Sequence, residues 1–226
     1  MKLTIVIPAF NEEEMLIKAT QNLPKTIVGI NKIETVVVDD GSTDKTFKRA
    51  RSIASTIIRH PVNVGLGGAL ATGFSYAKFT NCDILVTFDS DGQHNASDIE
   101  LLVRPITENI ADVVIGSRMM GMGYMPLSRK MVNYIANIIT LLMGGQKSTD
   151  SQSGLRAFNK KAISLIEIKT TGMEVSSEIL CEVKKHSLRL QEIPIAAIYT
   201  QYSQTKGQRI SNAPNVFFQL FKRLIR

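Results

Sequence analysis

The sequence predicts an α/β chain with a mostly parallel central sheet and helices on both faces. Three observations carry this. Short apolar runs alternate with segments of helical period along the first half of the chain. The runs are almost wholly apolar instead of alternating, as in strands buried on both faces. Most of them end in a turn rich in Asp, Asn and Gly.

Leu3 to Pro8 reads as the first buried strand. Asn11 is placed to cap a helix with Glu12, Glu13 and Glu14 in its first turn and Leu16, Ala19 and Leu23 on one face. Thr35 to Val38 is the second strand, and Asp39 to Asp44 the loop after it. A helix through Phe47 and Ala50, a strand at Thr56 to Arg59 and a small-residue helix from Gly65 to Ala77 follow. Ile84 to Phe88 is a strand ending in Asp89-Ser90-Asp91-Gly92, then comes a helix over Ala96 to Ile106 and a strand at Asp112 to Ile115. Gly121, Gly123 and Pro126 mark a loop, and Arg129 to Met143 is helical. Gly144 to Gly154 is polar and is expected to be mobile, with a strand at Gly154 to Phe158. Glu174 to Lys185 reads as helix and Leu188 to Ile198 as extended. A polar stretch at Thr200 to Pro214 leads to a last helix at Asn215 to Ile225. The expected division is a main domain over 1–210 and an appended basic amphipathic helix over 211–226.

The 226 residues are 44% hydrophobic and 21% charged, which fits one globular domain and excludes a disordered chain. Cys82 and Cys181 are isolated, so a disulfide scaffold and a structural zinc site are not expected. No segment reaches the roughly 18 apolar residues of a membrane span. Met1-Lys2-Leu3 runs straight into a strand, so the reading predicts no signal peptide and a cytoplasmic location. The net charge is +7, and no acidic residue follows Glu192, while Lys206, Arg209, Lys222, Arg223 and Arg226 do. Such an end seeks phosphates.

Ligands of open parallel sheets bind beyond the carboxyl ends of the strands. In this chain those ends carry Asn11 and Glu12, Asp39 and Asp40, Asp89 and Asp91, and Ser117 and Arg118. Any one of these could be a simple turn, but like charges gathered on one edge repel unless a cation or a donor offsets them. Asp89 and Asp91, two apart in a turn, can converge on one hard cation, with Gln93 as a third oxygen, so Mg2+ or Mn2+ is implied. His94 is either a further ligand or a histidine at the surface or satisfied within the core. Gly65-Leu66-Gly67-Gly68-Ala69 is not a dinucleotide fingerprint, because Leu70 stands where the third glycine belongs, and no Gly-Lys-Ser/Thr phosphate loop occurs. Hydride-transfer and P-loop enzymes are therefore disfavoured. The run serves either close helix packing or backbone approach to a nucleotide.

Four segments in order, Ile7-Pro8-Ala9-Phe10-Asn11-Glu12-Glu13, Val38 to Asp44, Asn63 to Ala69 and Phe88 to His94, together resemble family-2 inverting glycosyltransferases of the Rossmann-like glycosyltransferase-A fold. The likeness is greatest to dolichyl-phosphate mannose synthases and bacterial polyprenyl-phosphate glycosyltransferases. Gly116-Ser117-Arg118 and Ser153-Gly154-Leu155-Arg156 extend it to about residue 160. The resemblance implies a nucleotide-diphosphate sugar donor of the GDP-mannose or UDP-glucose type. Pro8, Asn11, Glu12, Asp39, Asp40, Gly67, Asp89 and Ser90 would line its site. Asp89, Asp91 and Gln93 would hold the metal, and Arg118 would face phosphates, with Arg129, Lys130 and Lys206 as further candidates on the acceptor side. Arg129 and Lys130 read equally as a solvated helix face. The arginine that precedes a Gly-x-Ser-Lys segment in such mannose synthases is absent here, where Lys206 stands in Thr205-Lys206-Gly207.

Two acceptors stay open. A polyprenyl monophosphate has its second pKa near roughly 6 and needs no general base. A glycan hydroxyl in cell-surface polysaccharide assembly does need one, and Asp150 is the candidate. The C-terminal helix, with Phe217, Leu220, Phe221, Leu224 and Ile225 on one face and basic residues opposite, is expected to meet a membrane surface or a small membrane partner, or else to dock on the core. That places the enzyme at the cytoplasmic membrane face. Nucleic acid is not an expected partner, because no recognition motif accompanies the charge.

Overall fold

A computed structural model describes residues 1–121 and 125–198. Its seven strands are β1 (Lys2–Ala9), β2 (Lys32–Asp39), β3 (Thr56–Arg59), β4 (Ile84–Thr87), β5 (Val113–Ser117), β6 (Arg156–Asn159) and β7 (Leu190–Pro194). They form one sheet in the order β3-β2-β1-β4-β6-β5-β7. All neighbours are parallel except β6, which runs antiparallel to both β4 and β5. The sequence reading of a mostly parallel sheet with helices on both faces holds.

Pleating explains why the central strands are mostly apolar on both sides. Alternate residues of a strand face opposite sides of the sheet. Leu3, Ile5 and Ile7 of β1 face one core with Ile84 and Val86 of β4. Helices α1 (Leu16–Thr20), α2 (Thr46–Ala50) and α4 (Asp98–Thr107) cover it through Leu16, Ala50, Ile99 and Leu102. Val6, Val36, Val38 and Leu85 face the other core. It is covered by α3 (Leu66–Phe79), α6 (Lys160–Leu165) and α7 (Val175–Lys185). Phe74 of α3 meets Phe158 of β6 edge-on, with ring centroids 5.0 Å apart. The sixteen-residue α5 (Leu127–Leu142) lies between β5 and β6 in the chain.

Two sequence expectations change. Asn11 does not cap a helix: its φ is 54°, and α1 begins at Leu16 behind Met15. The left-handed residue turns the chain so that 11–13 runs alongside 42–46 instead. Residues 144–154 are not a loose loop either, since Asp150, Ser151 and Ser153 have no exposed surface. The polar composition there serves internal hydrogen bonds. Lys206 and the helix expected at 215–225 lie outside the described residues.

Candidate active site

Parallel pairing brings three carboxyl ends to one rim. Ala9 of β1 is in register with Asp39 of β2, and Asp39 with Arg59 of β3. β4 ends one strand over, and Ser90 ties the next turn back by donating to the Pro8 carbonyl at 2.9 Å. Because β6 is reversed, it starts where β4 and β5 finish, so Arg156 sits opposite both Thr87 and Ile115. This reversal adds residues 153–156 to the rim.

The side of the rim beyond β1 and β2 is built by mutual bonding of two loops. Asn11 N–H donates to Ser42 Oγ at 3.0 Å, and Asn11 Oδ1 accepts from Thr43 N–H at 2.9 Å. Glu12 N–H donates to Thr46 Oγ1 at 2.7 Å. Asp39 accepts from Ser42 N–H and pairs with Arg59 at 3.1 Å. Asp40 is buried and holds the next loop, accepting from Asn63 Nδ2, Val64 N–H and Gly65 N–H at 2.7–2.9 Å and meeting His60 Nδ1 at 2.6 Å. In this arrangement Asp39 and Asp40 shape the loop around the rim. A hollow of about 680 Å3 lies beside them, lined by residues 41–44 and 59–61, but Asp89, Asp91 and Arg118 are not part of it.

Gly67 has a structural task. Its N–H donates to the Thr171 carbonyl at 2.8 Å, and a Cβ there would stand 2.1 Å from the Thr170 carbonyl oxygen. Of the two readings of the glycine run, the structure supports close packing at this position.

Asp89 and Asp91 follow β4. Burial, and then the charge of Asp91, push the Asp89 carboxyl up to about 7, against the pull of Arg118 and Arg156. Glu12 adds to that push, so it lies within electrostatic reach. Burial also raises Asp91, which Gln93 counters by hydrogen bonding. Two half-buried carboxylates in one turn, one of them raised by the other's charge, are a pair that suits a cation. Among the described residues no third His, Cys, Asp or Glu completes a ready-made metal cage. Mg2+ and Mn2+ sites commonly take one or two carboxylates and leave other positions to water and substrate phosphate, so the pair fits such an ion. Gln93 bridges its two neighbours. Its Nε2 donates to Asp91 at 2.8 Å and its Oε1 accepts from Arg118 at 3.2 Å, so its oxygen faces the arginine.

Arg118 and Asp150 form a buried fork. Arg118 Nε and Nη2 donate to the two Asp150 oxygens at 2.8 and 2.9 Å, and its backbone N–H adds a third bond at 2.9 Å. Asn133 of α5 donates to Asp150 at 3.2 Å. The result is a continuous polar chain, Asn133–Asp150–Arg118–Gln93–Asp91, crossing from α5 to the end of β4. Asp150, the candidate base, is thereby hydrogen-bonded to Arg118 and Asn133. Arg129 is half-buried and Lys130 exposed in the first turn of α5.

Sequence reasoning missed Arg156 and the tightness of Gly154. Arg156 is 2% exposed; its Nε and Nη2 hold the Ser153 and Ser151 carbonyls at 2.8 Å, and burial lowers its pKa to about 10. An arginine inside an apolar strand was the available signal. Gly154 lies against Asp89, where an added Cβ would stand 1.7 Å from Oδ2. His94 is buried as the core reading expected, yet its Nδ1 has no hydrogen-bond partner among the described residues, and burial with nearby Arg118 pushes its pKa down to about 3. It is a neutral imidazole lying against Phe88.

Comparison with known proteins adds the following. The model for glycosyl transferase family 2 matches residues 4–166. An uncharacterized protein of Methanocaldococcus jannaschii, MJ1222, is 45% identical over 98% of this chain and 91% of its own length. The UDP-N-acetylglucosamine–dolichyl-phosphate N-acetylglucosaminyltransferase of Methanococcus voltae is 36% identical over 96% of this chain and 93% of its own. Among solved structures, glucosyl-3-phosphoglycerate synthase from Mycobacterium tuberculosis, in complex with Mn2+, UDP-glucose and glycerol 3-phosphate, superposes with a TM-score of 0.70 at 17% identity, over 99% of this chain and 79% of that one. At that identity the likeness shows the glycosyltransferase-A fold.

Proposed function

The chain belongs to glycosyl transferase family 2, and from that premise we propose that it moves a hexose from a nucleoside-diphosphate sugar to a polyprenyl or dolichyl phosphate, with inversion and with Mg2+ or Mn2+. The observation that carries this reading is the half-buried Asp89–Asp91 pair within electrostatic reach of Arg118 and Arg156 at one rim. A pair of acids wanting a cation, next to two fixed cations, suits a diphosphate that must leave and a phosphate that must arrive.

Asp89 and Asp91 would hold the ion. When bound, it offsets charge developing on the departing nucleoside diphosphate. One bond forms, from an acceptor phosphate oxygen to the anomeric carbon, as the bond from that carbon to the diphosphate breaks on the opposite side. Arg118 is held rigid by Asp150 and Gln93, so its charge needs no reorganisation during that step. Arg156 fixes the 151–153 turn beneath Asp89. The engagement of Asp150 favours a phosphate acceptor over a glycan hydroxyl, because the hydroxyl needs a free base and the phosphate does not. The Methanococcus voltae relative's name gives dolichyl phosphate as its acceptor and UDP-N-acetylglucosamine as its donor, which adds that donor to the GDP-mannose and UDP-glucose types.

A donor panel with a polyprenyl phosphate, Mg2+ or Mn2+ and organic extraction of the product tests this. One donor should give lipid-linked sugar, and Asp91→Asn should remove that turnover without lowering the melting temperature. Transfer only to glycan acceptors, or full activity of Asp91→Asn, would overturn it.

A further inference from the structure

Arg156 is a buried cation whose bonds go to no acid. It is 2% exposed on β6, and its Nε and Nη2 donate to the Ser153 and Ser151 carbonyls at 2.8 Å. Among the described residues no carboxylate stands within ion-pair distance of it. Neutral carbonyls do not offset the water a guanidinium loses on burial, so the charge needs an opposite charge nearby. Anchoring the turn does not itself call for a charge. The neighbouring Thr149 carbonyl is held by a neutral amide, Asn137 Nδ2, at 2.6 Å.

The fold shows where the opposite charge lies. β6 sets Arg156 opposite Thr87, two residues before Asp89. Thr87 Oγ1 donates to the Gly154 carbonyl at 2.9 Å, and Gly154 packs on Asp89 so closely that an added Cβ would lie 1.7 Å from Oδ2. Burial lowers the pKa of Arg156, and Asp89 and then Asp150 act against that. Asp150 already takes two bonds from the Arg118 side chain. Arg118 acts on Asp89 too, but its charge is shared with Asp150. The acids left to balance Arg156 are therefore Asp89 and its neighbour Asp91.

We infer that Arg156 is the resident counter-charge of the Asp89–Asp91 pair: it stabilises the rim while the pair is empty and limits how tightly the pair takes a divalent ion. The inference rests on the assignment of the ion to that pair under the proposed function. Arg156 is fixed inside the sheet by two strands and two carbonyls, so its charge does not withdraw when an ion arrives. A grip weakened in this way is completed by substrate phosphate, which Mg2+ and Mn2+ sites commonly use.

The test compares the full chain with Arg156→Gln and Arg156→Lys in nucleotide-free buffer at low salt. Mn2+ binding is read from the electron paramagnetic resonance signal of the free ion, beside thermal melts over a Mn2+ series. Arg156→Gln removes the charge and keeps an amide donor, whereas Arg156→Lys keeps the charge and loses the fork. Arg156→Gln should bind Mn2+ more than about fivefold tighter than the parent. It should melt lower without the ion and gain more melting temperature from it than the parent does. Arg156→Lys should stay within about twofold of the parent's affinity. Equal or weaker binding by Arg156→Gln overturns the inference and leaves Arg156 as an anchor of the turn. So does an Arg156→Gln chain that stays unfolded at every Mn2+ concentration, because a dication should replace a lost counter-charge. An Arg156→Lys affinity shifted as far as that of Arg156→Gln overturns it as well, since geometry and not charge would then be the cause. Asp91→Asn tests the premise separately and should abolish Mn2+ binding in the parent and in Arg156→Gln. Binding that survives Asp91→Asn, or no binding by any chain, overturns the assignment of the ion to the pair and the inference with it.

Discussion

Gly154→Ala is the sharpest probe of the carboxylate pair. The φ of Gly154 is outside the left-handed region, so alanine meets no backbone objection. The obstacle is space. The new Cβ would stand 1.7 Å from Asp89 Oδ2, 2.1 Å from Cγ and 2.4 Å from Oδ1. Contacts of this kind are essentially never below 3.0 Å, so a gap of about 1.3 Å must be made at Oδ2 alone. The backbone at 154 is poorly placed to make it. The Gly154 carbonyl accepts from Thr87 Oγ1 at 2.9 Å, the Leu155 carbonyl accepts from Gly116 N–H at 3.0 Å, and Arg156 is laddered to two strands. Asp89 therefore moves, and a displacement near 1 Å at reacting groups costs about a hundredfold in rate. Overpacking of this order costs about 1–3 kcal/mol, roughly 2–4 °C of melting temperature per kcal/mol at this chain length. The assay is metal-dependent release of nucleoside diphosphate from the donor, run beside a thermal melt. The variant should keep its fold, lose about a hundredfold in turnover and need more Mn2+ for half-maximal rate. Turnover within about twofold of the parent, at unchanged Mn2+ demand, would refute the assignment of Asp89 to the reacting centre.

Two further expectations follow from the same rim and from the far end of the sheet. Asp150→Asn keeps the shape but removes the charge that orients Arg118; kcat should fall with the pH–rate profile unchanged in form, whereas loss of an acidic limb would make Asp150 a base after all. Asp112 is held down to about 2, first by its hydrogen bond from Arg189. Its unfolded value is about 3.9, so its contribution to stability is present above about pH 4 and disappears as pH falls through about 2. Arg189→Met should flatten urea midpoints in that window and leave activity at neutral pH intact, and an unchanged pH dependence would remove the pair from the acid response.

Most of the sheet could be read from the chain because its strands are buried on both faces. Leu3 to Pro8 and Ile84 to Phe88 are apolar at every position but Thr4 and Thr87 for that reason, and the polar turns after them mark the rim. The misreadings fall where tertiary contacts override local chemistry. Asn11 has the composition of a cap, but its side chain binds Thr43 across the rim, a partner 32 residues away. Residues 144–154 have the composition of a mobile loop, but their polar groups are held by Arg118, Asn133, Asn137 and Arg156. The carboxylate pair was visible because both acids lie in one turn. The contact of Asp150 with Arg118 was not, because the arginine is 32 residues upstream and only the fold brings them together.

The helix that borders the site shows why periodicity alone could not orient it. A repeat near 3.6 says that one side of α5 is apolar and the other polar; it does not say which side is inside. The default puts the apolar side in. Here the loop at 148–151 needs donors and acceptors that its own strands do not supply, and Asn133 and Asn137 provide them. Once those side chains are committed inward, helical geometry turns Met131, Tyr134 and Ile138 to the outside with no freedom left. Orienting Arg118 and exposing an apolar stripe are thus one structural decision. Any change that rotated α5 to hide the stripe would also withdraw Asn133 from Asp150.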